Sequence, residues 1–131
     1  MGSMNNALNQ YKQNVVFTAT PEELTLMLYD GCIKFMNMAK YHIEKRDIQK
    51  AHESLIKAQD IVYELRGTLN DKYEIASNFR KLYDFVLDRL IEANLRKETK
   101  PIDEALEIIT GLRDTWKEAM KKVKKTVYKN R

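Results

Sequence analysis

The stretch TPEELTLMLYDG, Thr20 to Gly31, decides the fold. Thr20 is a good helix N-cap, Pro21 suits the first helical position because its missing N–H costs nothing there, and Glu23 completes a capping box. The helix they open is too apolar for an ordinary surface helix. Leu24, Leu26, Met27, Leu28 and Tyr29 point in several directions at helical spacing, and Gly31 stands where the helix must continue. Such a helix needs apolar neighbours on more than one side.

Working outward, this helix is expected from Pro21 to about Lys45. Arg46-Asp47 breaks it, and Asp47 can cap the next. From about Ile48 to Leu69 the apolar positions Ala51, Leu55, Ala58, Val62, Leu65 and Leu69 form one narrow stripe in alternating steps of 4 and 3. Asn70-Asp71 interrupts the pattern. A third segment, from about Lys72 to Lys97, carries Ile75, Phe79, Leu82, Val86, Leu90 and Ala93, with Tyr83, Leu87 and Ile91 as a second row. Lys100 before Pro101 disfavours helical backbone, and Pro101 can open a last helix lined by Ile102, Leu106, Ile109, Leu112, Trp116, Met120 and Val123. Beyond Val123 the helix is expected to fade. No strand pattern competes. Helices this long, joined by short connections, must run antiparallel to their neighbours. The expected fold is therefore all-α, an antiparallel up-down four-helix bundle in one domain, residues 20–125.

Composition agrees. The chain has 131 residues, with 4 Gly and 2 Pro. So little punctuation favours a few long elements. Residues 1–3 before Met4 read as a cloning scar. No apolar run approaches the roughly 18 residues of a membrane span, no signal peptide is legible, and Cys32 is the lone cysteine. A cytoplasmic protein without membrane insertion is the expectation. Of 23 basic and 19 acidic residues, Lys117 to Arg131 holds seven bases and one acid, Glu118. The remainder has 16 bases and 18 acids. Basicity belongs to the stretch from Lys117 to Arg131, which ends in a basic C-terminal tail at 126–131, and not to a folded face, so no nucleic-acid partner is expected.

Residues 4–19 are polar but carry Leu8, Tyr11, Val15, Val16 and Phe17. They read either as a disordered leader or, the preferred reading, as an extended or short-helical segment lying against the bundle. In the first helix, Leu24, Met27, Leu28, Phe35, Met38 and His42 follow one stripe, while Leu26, Tyr29, Ile33, Met36 and Ile43 cover an adjacent side. Together they exceed the roughly 100° face that one partner covers. With the doubly lined third helix, this leaves apolar surface for another chain. Gly31 costs about 1 kcal/mol against Ala in mid-helix; either a close neighbouring helix or a bound peptide offsets it. An amphipathic segment of another protein, folding onto the bundle, is the natural partner.

No catalytic constellation is legible. His42 and His52 lack ligand-spaced partners, and the Glu-x-x-His pairs of a di-iron bundle are absent. No phosphate loop, nucleophile elbow or Cys-x-x-Cys occurs. No enzyme activity, cofactor or metal is expected.

YKQNVVFTATPEELTLMLYDGCIKF, AQDIVYEL, ASNFRKLYDFVLDRLIEAN and LRDTWKEA together resemble the flagellar secretion chaperones, which hold flagellin before export. The resemblance covers Tyr11 to Ala119. Its motif positions include Thr18, Pro21, Leu24, Gly31, Arg89 and Asn94. The Asp71-Lys72-Tyr73 connection departs from the Gly-rich loop common in the family. The resemblance implies a four-helix bundle that binds the disordered C-terminal segment of flagellin, keeps it from polymerising and delivers it to the flagellar export machinery. It also implies that the leader, here through Tyr11, Val15 and Val16, caps the substrate groove until flagellin displaces it. The residues expected to line that groove are Leu26, Tyr29 and Ile33 from the first helix and Ile61 and Leu65 from the second. The third helix adds Tyr83, Leu87, Leu90 and Ile91. Arg89 and Asn94 fit a structural role near the helix end equally well. A monomer or weak dimer is expected. The alternative is a helical adaptor or regulator that binds another folded protein or itself.

Overall fold

The computed structural model describes residues 19–129, with side chains described through 124. The leader residues Tyr11, Val15, Val16 and Thr18 lie outside them. Four helices follow in order: α1, Pro21–Glu44; α2, Ile48–Gly67; α3, Ile75–Arg96; and α4, Lys100–Lys129.

The helix ends show local chemistry at work. The Thr20 hydroxyl accepts the Glu23 N–H at 3.2 Å, and Pro21 occupies the first helical position. Asp47 accepts the Lys50 N–H at 3.1 Å and starts α2 after Arg46 has turned the chain at a left-handed φ of 59°. The third helix starts later than expected, at Ile75, the first residue of its apolar stripe, and not at Lys72. The Asn70 side chain accepts the Lys72 N–H at 3.0 Å, and its carbonyl accepts that of Tyr73 at 3.1 Å. These bonds hold the intervening residues in a turn. The fourth helix does not fade at Val123 but continues to Lys129.

Each helix packs on its two neighbours around a ring: α1 on α2, α2 on α3, α3 on α4 and α4 on α1. The up-down-up-down order is visible in the ion pairs between them. Lys40 near the end of α1 meets Asp103 near the start of α4 at 2.6 Å, and Asp30 meets Arg113 at 3.5 Å. Arg66 late in α2 meets Asp84 early in α3 at 3.3 Å. These pairs are solvent-accessible and contribute at most about 1 kcal/mol each. The apolar interior carries the fold.

That interior follows the expected stripe in α2 but not in α1, where Met27 and Met38 are exposed and Cys32 and Ala39, outside both expected rows, are buried. Cys32, Met36 and Ala39 of α1 meet Leu55, Ala58, Val62 and Leu65 of α2. Val86, Leu90 and Ala93 of α3 and Ile102, Ala105 and Ile109 of α4 close it. Gly31 lies at the α1–α2 seam. A Cβ there would sit 3.3 Å from Ile61 Cδ1, so the occupant of the notch is a neighbouring helix of the same chain. Burial then decays along α4. Ile109 is buried, Trp116 and Met120 are half-buried, and Val123 is 64% exposed. The fourth helix runs out past the start of α1.

Candidate functional site: an apolar cleft at one end of the bundle

Helices α1 and α3 begin at the same end of the bundle, where α2 stops. Leu24 and Leu28 of α1, Leu69 after α2, Ile75 and Phe79 of α3 and Trp116 of α4 wall an open cleft of about 540 Å³ there. Tyr29 and Tyr83 also line it. Their hydroxyls meet across the bundle diagonal at 2.6 Å, and both residues are 3% exposed. Burial raises the ionisation of both phenols above the ordinary value, so both stay protonated donors at neutral pH. The Trp116 indole N–H donates to the Glu22 carbonyl at 2.9 Å. On its other side, Trp116 borders a smaller hollow of about 320 Å³ with Thr20, Ala119, Met120 and Val123. The chain enters α1 at this hollow.

The structure divides the nine expected groove residues. Leu26, Ile33 and Ile61 are half-buried, and Ile91 is 41% exposed on the outer face of α3. Tyr29, Leu65, Tyr83, Leu87 and Leu90 are buried in the core, which corrects the expectation that they form an open wall. The physical reason is that a helix in a ring of four has two neighbours. Its second apolar row therefore serves the adjacent helix. Of the five, Tyr29 and Tyr83 still reach the floor of the end cleft.

Among the motif residues, Pro21 and Leu24 line the cleft, and Gly31 makes the α1–α2 seam. Arg89 lies on the surface, paired with Asp88 at 2.7 Å and set over the Phe85 ring at 5.9 Å. Asn94 is a tie between elements. Its amide nitrogen contacts His52 Nδ1 at 3.0 Å, and its Oδ1 accepts the Lys97 ammonium at 2.7 Å. Lys97 ends α3 at a left-handed φ of 52°.

Phe79, Leu69, Ile75 and Trp116 were not singled out as site residues by their periodicity. One signal points to two of them: Leu69 and Ile75 flank the Asn70-Asp71 break, and apolar residues beside a connection lie at a bundle end. Further apolar side chains stand exposed on outer faces, among them Phe85 of α3 and Ile56 and Tyr63 of α2. No helix among the described residues is long and apolar enough to cross a membrane.

Comparison with known proteins gives one consistent result. The profile of the flagellar protein FliS family matches residues 4–123. The flagellar secretion chaperone FliS of Bacillus subtilis is 42% identical over 123 residues, 94% of this chain and 92% of that protein. That of Salmonella typhimurium is 32% identical over 109 residues, 81% of each chain. A crystal structure of a flagellar chaperone from bacteria superposes with a TM-score of 0.73 at 24% identity, covering 89% of this chain and 97% of that one. It supports the four-helix fold.

Proposed function

The chain belongs to the flagellar protein FliS family, and from that premise we propose that it is the export chaperone of flagellin. The family's role is that of a chaperone and not an enzyme. In this reading the protein binds the disordered C-terminal segment of flagellin in the cytoplasm. It keeps that segment from polymerising and hands it to the flagellar export machinery.

One observation carries the reading: likeness to flagellar secretion chaperones spans nearly the whole chain, at 42% identity to that of Bacillus subtilis. The geometry supports it. The bundle closes a core of its own, so it can stay folded with its binding surface empty. It still leaves an apolar cleft at one end and exposed apolar side chains on outer faces. A disordered partner lays apolar anchors on such a scaffold and folds there, at an ordering cost of a few kcal/mol. Tyr11, Val15 and Val16 of the leader cover part of this surface in the free protein and yield to the larger area buried by flagellin. The tether gives the leader a high effective concentration, which keeps nonspecific partners away.

The test is retention of a flagellin C-terminal peptide by the immobilised protein, repeated with Ile91→Asp. Retention by the wild type at one peptide per chain, weakened in the variant, is expected. A wild type that does not retain the peptide ends the reading. A dimer that persists through nanomolar dilution and ignores the peptide would favour a self-associating adaptor.

A further inference from the structure

We propose that the end cleft reads one local feature of the bound segment: an apolar residue beside a lysine or arginine, presented with a free main-chain carbonyl. This rests on the reading above that flagellin's C-terminal segment is the occupant.

The carbonyl follows from counting protons. Tyr29 and Tyr83 have one hydroxyl proton each. The 2.6 Å contact between them uses one, and no other hydrogen-bond partner of either hydroxyl occurs among the described residues. One buried O–H donor is left over in a pair only 3% exposed. Its direction is set by the helices. Helical side chains lean toward their helix N-terminus, and α1 and α3 both begin at the cleft. Both rings therefore lean into the cleft floor. A buried donor without an acceptor is costly. An incoming main-chain carbonyl not engaged in its own helix supplies the acceptor.

The apolar residue follows from the walls, Leu24, Leu28, Phe79 and Trp116. The cation follows from the rim. Glu22 and Glu64 line the cleft and have no ion-pair partner among the described residues. Three aspartates toward this end are paired, Asp30 with Arg113, Asp84 with Arg66 and Asp71 with Arg80, while Glu23 and Glu74, like Glu22 and Glu64, have no ion pair among the described residues. Two unpaired rim carboxylates attract a cationic flank and repel an acidic one, so a carboxylate is a poor acceptor for the spare O–H.

The experiment measures fluorescence anisotropy of a labelled flagellin C-terminal peptide against Tyr29→Phe, Tyr83→Phe, the double variant and Glu22→Gln/Glu64→Gln, with thermal unfolding of each. In either single variant the surviving hydroxyl keeps a proton for the peptide, so affinity stays close to wild type. The double variant has no donor, and its affinity falls about three- to tenfold, the effect of one net hydrogen bond. Stability runs the other way. Each single variant strands a buried hydroxyl and melts lower than the double, in which both partners are replaced together. The glutamine pair weakens binding about threefold at low salt and loses this effect at high salt; being on the surface, it tests the site even if a tyrosine variant misfolds. Wild-type affinity in both the double Phe and the glutamine variants overturns the proposal and leaves the flagellin reading standing. Tighter peptide binding in the double variant also overturns it, since the spare donor then serves the chain's own leader. Failure of the wild type to bind removes the underlying reading instead.

Discussion

Trp116 donates its indole N–H to the main-chain carbonyl of Glu22 at 2.9 Å, and so fastens the outer part of α4 to the first turn of α1. It is the chain's one tryptophan and forms a wall of both hollows at that end. Its emission should therefore report on the site. Saturating flagellin peptide is expected to shift the emission to shorter wavelength as water leaves the ring. No change at saturation would mean that the peptide binds elsewhere. Trp116→Phe should cost about 1 kcal/mol for the lost hydrogen bond, read from urea unfolding.

Gly31 and Ile61 set the distance between α1 and α2. An added methyl at Gly31 would meet only the tip of the Ile61 side chain, at 3.3 Å. That tip can rotate, and alanine gains about 1 kcal/mol in helix propensity. Gly31→Ala is thus expected to change stability by less than about 1 kcal/mol. Gly31→Leu has no such escape and should destabilise by about 1–3 kcal/mol. Equal stabilities for the two variants, by chemical denaturation, would show that the seam is looser than its geometry.

The four helices could be read from the chain because breaks and apolar spacing marked each of them, with side-chain caps at the first two. Thr20 and Asp47 marked starts, α4 begins at Lys100, one residue before the expected Pro101, and the stripe from Ala51 to Leu65 is buried throughout. The division between core and binding surface was less legible. Period alone places Leu87 and Ile91 in one row of α3, yet Leu87 is buried and Ile91 lies open. Which of them faces a neighbour depends on how far α4 wraps, and that is a property of the assembled ring. The end cleft was hidden for a similar reason. It gathers residues from all four helices at one level of the bundle, and no window of sequence holds them together.

The contrast between adjacent residues Leu90 and Ile91 makes that division testable. Leu90 is fully buried, and an aspartate there would be an unpaired charge in the core. Leu90→Asp should unfold the protein or destabilise it by more than about 3 kcal/mol. Ile91→Asp lies on the surface, should cost less than about 1 kcal/mol, and should weaken peptide binding instead. Circular dichroism and anisotropy on the two variants separate the effects. Unfolding of Ile91→Asp would place that residue in the core.

Cys32 links stability to alkaline pH. It is fully buried with its Sγ 3.8 Å from the Ala58 carbonyl, and burial pushes its thiol from the ordinary 9.0 up to about 12. The unfolded thiol ionises near 9 while the folded one holds its proton to about 12. Unfolding therefore releases a proton in that window. Stability is fully present below pH 9 and falls as pH rises toward 12, by about 1.4 kcal/mol per pH unit. Tyr29 and Tyr83 add a loss of the same sign above their ordinary value of 10.0. Cys32→Ala should flatten the fall between pH 9 and 10, before the tyrosines contribute. An unchanged slope in urea denaturation would show that the folded thiol ionises normally. Within the same logic, thiol reagents should label Cys32 only after unfolding.

The leader offers the last test of the proposed function, in which it competes with flagellin for the binding surface. A tethered peptide that occupies the binding surface for most of the time lowers the apparent affinity of a competitor by the fraction of time the surface is free. Removing residues up to Gln13 takes away Tyr11 and leaves Thr20 and Pro21 to start α1 as before. Flagellin peptide should then bind more tightly or associate faster, with little change in the melting temperature. Val15 and Val16 remain in that truncation, so their replacement by Ser should add to the effect. Stopped-flow association and equilibrium anisotropy give both quantities. If on-rate and affinity stay the same in the truncated protein and in the Ser variants, the leader does not cover the surface that flagellin uses.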